Sequence, residues 1–192
     1  SSFAASARAA GVNRVAILDY DVHHGNGTQW MFYDDPAVLY VSLHQYPFYP
    51  GTGAVTDVGR GDGIGFTLNV PLEAGASDAD YDRAMREVVG PVVTAFAPEL
   101  ILLSAGYDAH AQDPLGGMQV STEGFAAMTA HVQRLAETCC QGRLAAVTEG
   151  GYDLTALDAC LESTLTQLGD GPPASGAAVI GYTHRVNSVI PA

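Results

Sequence analysis

Lysine is absent from this 192-residue chain, and its eight basic residues, all arginines, face twenty-one acidic ones. With a formal charge of −13, the sequence lacks the electrostatic footprint of a phosphate-tracking surface, which disfavours direct nucleic-acid binding. The acidic surface suits solubility; attraction of a basic peptide is the weaker alternative. Charged residues are only 15% of the chain against 47% hydrophobic, which excludes a disordered polymer and predicts a core-rich body. No apolar run approaches the ~20 residues that cross a bilayer, and SSFAASARAAG lacks the ordered regions of a secretory signal. The expectation is a soluble, cytoplasmic protein with no membrane partner. The cysteines, Cys139, Cys140 and Cys160, are odd in number and in no zinc or disulfide spacing. They read as ordinary thiols.

At this length one α/β domain is expected, since domains run roughly 100 to 200 residues. β-branched runs stand at 14–18, 37–43, 66–70, 99–105 and 143–149, several of them apolar on both faces as buried parallel strands are. Helical spacing occupies 79–97, 122–141 and 153–168, with Ser77 or Asp78 capping the first, Ser121 the second, and Gly169 stopping the third. Strands alternating with helices predict a three-layer α/β/α fold with a mostly parallel sheet. The Gly-, Pro- and aromatic-rich segment 44–65 is too long for a plain connection and reads as a shaped functional loop. From Asp170 onward the periodicity is lost, so 1–169 is taken as the domain and 170–192 as a tail or linker.

In open parallel sheets ligands bind beyond the carboxyl ends of the strands. After 14–18 comes DYDVHHGNG, after 99–105 comes GYDAHAQDP, and after 143–149 comes GGYDL. Asp, His and Tyr are thereby delivered to one sheet edge. Asp21 and His23 are two apart at a strand end, where residues i and i+2 share a face. Asp108 would complete a set of one imidazole and two carboxylates, leaving a tetrahedral ion one open position for water. Such a set also suits iron and other divalent ions. Asp113 competes with Asp108, but its place before Pro114 favours a loop or capping role. Tyr152 follows Gly150 and Gly151, whose freedom permits close approach; an ordinary half-buried tyrosine is the plainer reading. His44 and His110 read as local hydrogen-bonding residues, and His131 and His184 as structural or surface residues.

The motifs DYDVHHGNGTQ, VSLHQYPFYPGTG, LNVPL, SAGYDAHAQDPLGG and EGGYDL together resemble the histone deacetylase family, in its class II-like branch with the bacterial deacetylase-like amidohydrolases. The likeness runs from about Arg14 to Leu168. It implies an arginase-deacetylase fold and one catalytic zinc ion held by Asp21, His23 and Asp108. Tyr152 matches the tyrosine that hydrogen-bonds the substrate carbonyl. Asp19, Ser42 and Leu43, with the backbones of Asp21 and His23, resemble a structural potassium site. Phe32, Asp35, Val38 and Phe66 match a second monovalent-cation site. His24, Asn26, Gly150 and Gly151 fall just behind the ligands, and Asn26 stands where the class I branch has Asp. Tyr49 and Leu115 resemble walls of the acyl-lysine tunnel, and Leu115 cannot attract a second ammonium as an acidic gate would.

The implied reaction is hydrolysis of an acyl amide by water that the zinc ion activates, with acylated lysine or a small acylated amine as substrate. An acetylpolyamine amidohydrolase and a non-catalytic acyl-lysine-binding fragment or scaffold are the alternatives; an arginase-like two-metal site is disfavoured by the lack of further carboxylates in DYDVHH. Self-association as a homo-oligomer is left open. The second ring nitrogen of His23 is expected to meet a fixed acceptor. The resemblance also calls for a tandem His-His pair upstream of Asp19, and residues 1–18 hold no histidine. A fragment lacking an N-terminal portion is therefore expected, impaired in general acid-base catalysis.

Overall fold

The computed structural model describes residues 2–169 and 178–179. The earlier readings of His184 and of most of the tail lie outside those residues. Six strands form one all-parallel sheet: β1 (Val15–Asp19), β2 (Val38–Gln45), β3 (Thr67–Leu72), β4 (Leu100–Ala105), β5 (Leu144–Thr148) and β6 (Ala178–Val179). Every residue of β1 and β2 is buried, as central strands covered on both faces must be. Their near-continuous apolar sequences are the direct cause.

Helices cover both faces. On one, α1 (Ser2–Ala9) and α2 (Asn26–Phe32) bring Ala4 and Phe32 against Val15, Ile17, Tyr40 and Leu102. On the other lie α3 (Asp78–Ala84), a π-turn (Met85–Val89), α4 (Gly90–Phe96), α5 (Thr122–Cys140) and α6 (Leu154–Gly169). Tyr81, Val93, Phe125 and Cys160 from these elements pack on Ala16, Leu18, Ile101 and Leu103. The expected helix over 79–97 is thus one rod carrying a π-bulge. The sequence reading did not anticipate α2; its seven residues begin Asn-Gly, have no side-chain cap, and are too short to show a period.

Helix starts follow the expected capping chemistry, with one exchange of roles. The Asp80 carboxylate accepts from Ser77 N and Oγ, both at 2.9 Å, closing a capping box at α3. Asp78 instead accepts from Ser121 N at 2.7 Å, tying α3 to the start of α5, where Ser121 Oγ accepts from Gly124 N. All three cysteines are free, and His131 pairs with Asp82 at 2.9 Å. Among the described residues no helix is long and apolar enough to cross a membrane.

The strand order is β3-β2-β1-β4-β5-β6. The chain runs outward from β1 to β3, then returns to β4 on the other side of β1 and runs outward again. The reversal therefore lies between β1 and β4, where the connections leaving their carboxyl ends diverge and open a crevice. The candidate ligands follow those two strands.

Candidate metal centre

Backbone beyond β1 turns back on its own carboxylates. Asp21 N donates to Asp19 Oδ1 at 3.2 Å, and His23 N donates to Asp21 Oδ1 at 2.9 Å. The second loop joins through Asp108, fully buried, whose Oδ1 accepts Val22 N at 2.8 Å. The third joins through Gly150 N, which donates to Asp21 Oδ2 at 3.0 Å. His23 Nδ1 then lies 3.0 Å from Asp108 Oδ2 and 3.2 Å from Asp21 Oδ1. One atom from each of Asp21, His23 and Asp108 falls within 4.8 Å of the others. These are the three residues expected from the sequence.

Those three residues fit a divalent cation. The nitrogen and two oxygens suit zinc, and equally other divalent ions of borderline character. A Cβ at Gly150 would fall on the carboxylates of Asp108 and Asp21, and one at Gly106 on Asp21, so only bare backbone can close this cradle. Gly106 was not anticipated from the sequence. Among the described residues no arginine pairs with Asp19, Asp21 or Asp108, which leaves the cluster short of positive charge. Hydrogen bonds to Asp108 and Asp21 push His23 up to about 10, while burial pushes Asp108 up against the pull of His23. Without a metal, the cluster keeps a proton at neutral pH.

Around this centre the other expected residues separate. Asp19 is buried, its Oδ2 accepts the Tyr40 hydroxyl at 3.0 Å, and burial followed by the charge of Asp21 raises its pKa well above the ordinary value. Ser42 lies opposite Asp19 on the neighbouring strand, with Leu43 next to it. Asn26 opens α2, is exposed, and makes no side-chain hydrogen bond among the described residues. His23 Nε2 likewise has no such partner; the Phe48 ring stacks on that imidazole instead, at 5.3 Å between centroids and 22° between planes. Phe48 thus walls one face of the imidazole, and the acceptor expected at its second ring nitrogen is not found among the described residues. Tyr49 meets the same imidazole edge-on at 6.1 Å and is 76% exposed. Phe48 escaped the sequence reading because the Phe-Tyr pair alone does not say which ring turns inward.

Behind that wall sit two neutral imidazoles, His24 and His44, 4.8 Å apart. His24 pairs through Nδ1 with Thr52 Oγ1 at 2.7 Å and through Nε2 with Gln29 Oε1 at 2.9 Å. His44 pairs through Nδ1 with Ser42 Oγ and donates from Nε2 to Gly53 O, both at 2.9 Å. Burial lowers both, His44 to about 4. Thr52 and Gly53 belong to the loop that carries Phe48 and Tyr49, so the pair pins the aromatic wall. His44 is thus the local hydrogen-bonding residue expected, as is His110, which pairs with Gln112 N and Thr122 Oγ1.

Tyr152 leaves the end of β5 on the turn that begins with Gly150, and Gly151 has φ of 147°. Its ring is 52% exposed. Burial first, then the charges of Asp108 and Asp21, raise the phenol's pKa; it remains protonated, a donor, at neutral pH. Asp113 is no ligand. It is buried and accepts backbone N–H groups, the loop role expected of it. Leu115, half exposed, rides on the same turn.

The chain's likeness to known proteins agrees with this geometry. A model of the "Histone deacetylase domain" matches residues 3–168. Histone deacetylase 10, chloroplastic, of Oryza sativa subsp. japonica is 47% identical over 80% of this chain and 35% of its own length. The histone deacetylase-like amidohydrolase of Pseudomonas aeruginosa is 46% identical over 82% of this chain and 42% of its own. The crystal structure of the HDA15 HD domain superposes with a TM-score of 0.82 at 42% identity, covering 88% of this chain and 48% of that one. The chain thus spans well under two thirds of these curated relatives. With its parallel sheet, its Asp-His-Asp cluster and its tyrosine turn, the chain belongs to the histone deacetylase family.

Proposed function

We propose that this chain supplies the metal-binding half of a hydrolase that removes an acyl group from acylated lysine or a small acylated amine. The gathering of one ligand atom from each of Asp21, His23 and Asp108 within 4.8 Å of one another carries the reading. When bound, a zinc ion polarises an amide carbonyl and acidifies water from a pKa of about 15.7 toward ~7. Asp21, His23 and Asp108 would hold it. Tyr152 donates its phenolic proton in a hydrogen bond to the carbonyl oxygen as negative charge develops there, a contribution of roughly 2.7 to 4 kcal/mol in comparable sites. Phe48 and Tyr49 line the approach over His23 and exclude water from an apolar acyl chain. Asp19 and Ser42, buried and adjacent across β1 and β2, suit a structural potassium ion, which would offset the charge of Asp19.

Leu115 at the rim brings no charge, which favours acyl-lysine over an acylated polyamine. We take the cytoplasm as the setting, on the three free thiols. In the full-length protein, hydrolysis of an acetyl-lysine peptide faster than of acetylspermidine, with one zinc ion per chain, is expected; a metal-loaded protein that releases no acetate ends the reading.

A second reading rests on the histidines. His24, His44, His110 and His131 are all engaged away from the cluster, so among the described residues only His23 offers it an imidazole. A module that binds an acyl-lysine without turning it over is consistent with that. Calorimetry with an acetyl-lysine peptide would then show binding without acetate release.

A further inference from the structure

We infer that Asp113 is a positioning residue for Tyr152: its single carboxylate fixes the turn that aims the tyrosine at the metal ligands. The inference rests on the hydrolase reading for its kinetic consequence and on geometry alone for the positioning itself. The Tyr152 phenol makes no hydrogen bond among the described residues, and its ring is half exposed, so nothing at the end of the side chain locates it. The backbone must do so. That backbone follows Gly150 and Gly151, and Gly151 sits at a φ that other residues rarely adopt, so the two glycines themselves restrain the turn little. External partners have to hold it.

Those partners divide between the turn's two ends. At the start, Gly150 N donates to Asp21 Oδ2 at 3.0 Å and Gly150 O accepts from Tyr107 N at 2.7 Å. At the tyrosine itself, Asp113 Oδ2 accepts from Tyr152 N at 2.7 Å and from Asp153 N at 3.4 Å. The other oxygen of the same carboxylate, Oδ1, accepts from Leu115 N at 2.9 Å and Gly116 N at 3.3 Å. Asp113 is 8% exposed and forms no salt bridge among the described residues. These four backbone donors satisfy both oxygens of the buried carboxylate, as a buried polar group requires. Gly116 in turn lies so close to the Asp108 carbonyl that a Cβ there would collide with it. The carboxylate therefore bridges the loop carrying Asp108 to the turn carrying Tyr152. The spacing between metal ligand and hydrogen-bond donor is set through it.

Misplacement of a reacting group by ~1 Å can cost about 10²-fold in rate. In the full-length protein, Asp113→Ala is expected to lower kcat on an acetyl-lysine peptide about 10²-fold, with KM and zinc content unchanged. Because it acts through the phenol, adding it to Tyr152→Phe should cost no more than about twofold further. Losses that instead multiply, or a fall in zinc content that accounts for the loss, overturn the proposal. A second readout needs no turnover: 3-fluorotyrosine placed at position 152 alone should give one narrow 19F resonance in the parent and a shifted, broadened one with Asp113→Ala. An unchanged resonance overturns the proposal. A changed resonance in a protein that never hydrolyses the peptide keeps the positioning role and ends the hydrolase reading instead. If Asp113→Ala fails to fold, Asp113→Asn, which keeps the shape but presents an amide to two of the donors, goes through the same measurements.

Discussion

His23 turns its Nδ1 to within 3.0 Å of Asp108 Oδ2, although the two residues come from different strand ends and lie 85 positions apart. In the metal-free protein that nitrogen carries a proton at neutral pH, since His23 is pushed up to about 10 by its hydrogen bonds to Asp108 and then Asp21. A cation must displace it. Zinc binding at pH 7 is therefore expected to release about one proton per chain, and affinity to weaken as pH falls. Calorimetric titrations in buffers of different ionisation enthalpy measure that number directly, and zero protons would refute the protonated state of His23 in the metal-free protein.

Metal retention and turnover should separate cleanly between two residues. Asp108→Ala removes a proposed ligand and also the acceptor of Val22 N, so zinc content and activity should fall together. Tyr152→Phe keeps every proposed ligand and should retain zinc while kcat drops about 10²- to 10³-fold. Elemental analysis beside steady-state kinetics decides this.

Two glycine substitutions make a matched pair. At Gly150 a Cβ meets Asp108 and Asp21 carboxylate oxygens, whereas at Gly27, inside α2, nothing lies within 4 Å. Gly150→Ala is expected to weaken zinc binding at least tenfold; Gly27→Ala should leave it unchanged and add up to about 1 kcal/mol of stability through helix propensity. Equal effects of the two on zinc affinity would show that the cradle is not tight.

His44 gives a pH-dependence of definite sign. Burial first, then the repulsion that would arise if both it and His24 took up protons, push it down to about 4 from 6.5, against hydrogen bonds to Gly53 and Ser42. Between those values the unfolded chain takes up a proton that the folded chain refuses, so stability present above pH 6.5 is lost as pH falls toward 4. Asp19, raised by burial and Asp21, contributes with the opposite sign, so only a difference isolates the histidine. His44→Gln should flatten the decline of Tm between pH 7 and 4.5 relative to the parent; parallel curves would contradict the neutral state of His44.

The order of strands and helices was legible because it follows from local pattern. VAILD and VLYVSLHQ are apolar on both faces and become fully buried central strands. Asp21 and His23 were legible as a pair because two-residue spacing at a strand end is also local, whereas Tyr152 stood out only through the likeness of EGGYDL to the family motif, since two glycines alone leave an ordinary tyrosine the plainer reading. Phe48 was not, since which of two adjacent rings stacks on His23 depends on how Thr52 and Gly53 are tethered by His24 and His44. Gly106 was not either, because its need for a bare Cα comes from Asp21, which is remote in sequence.

The sequence by itself determined the alternation of elements, the capping chemistry and the residue types at each strand end, all consequences of near-neighbour sterics and periodicity. Only the tertiary structure decided that β1 and β4 lie side by side, so that Asp108, not Asp113, faces His23. It also turned Asp113 into the acceptor that joins two loops. The physical reason is that strand pairing is a non-local choice, made by burial across the whole sheet.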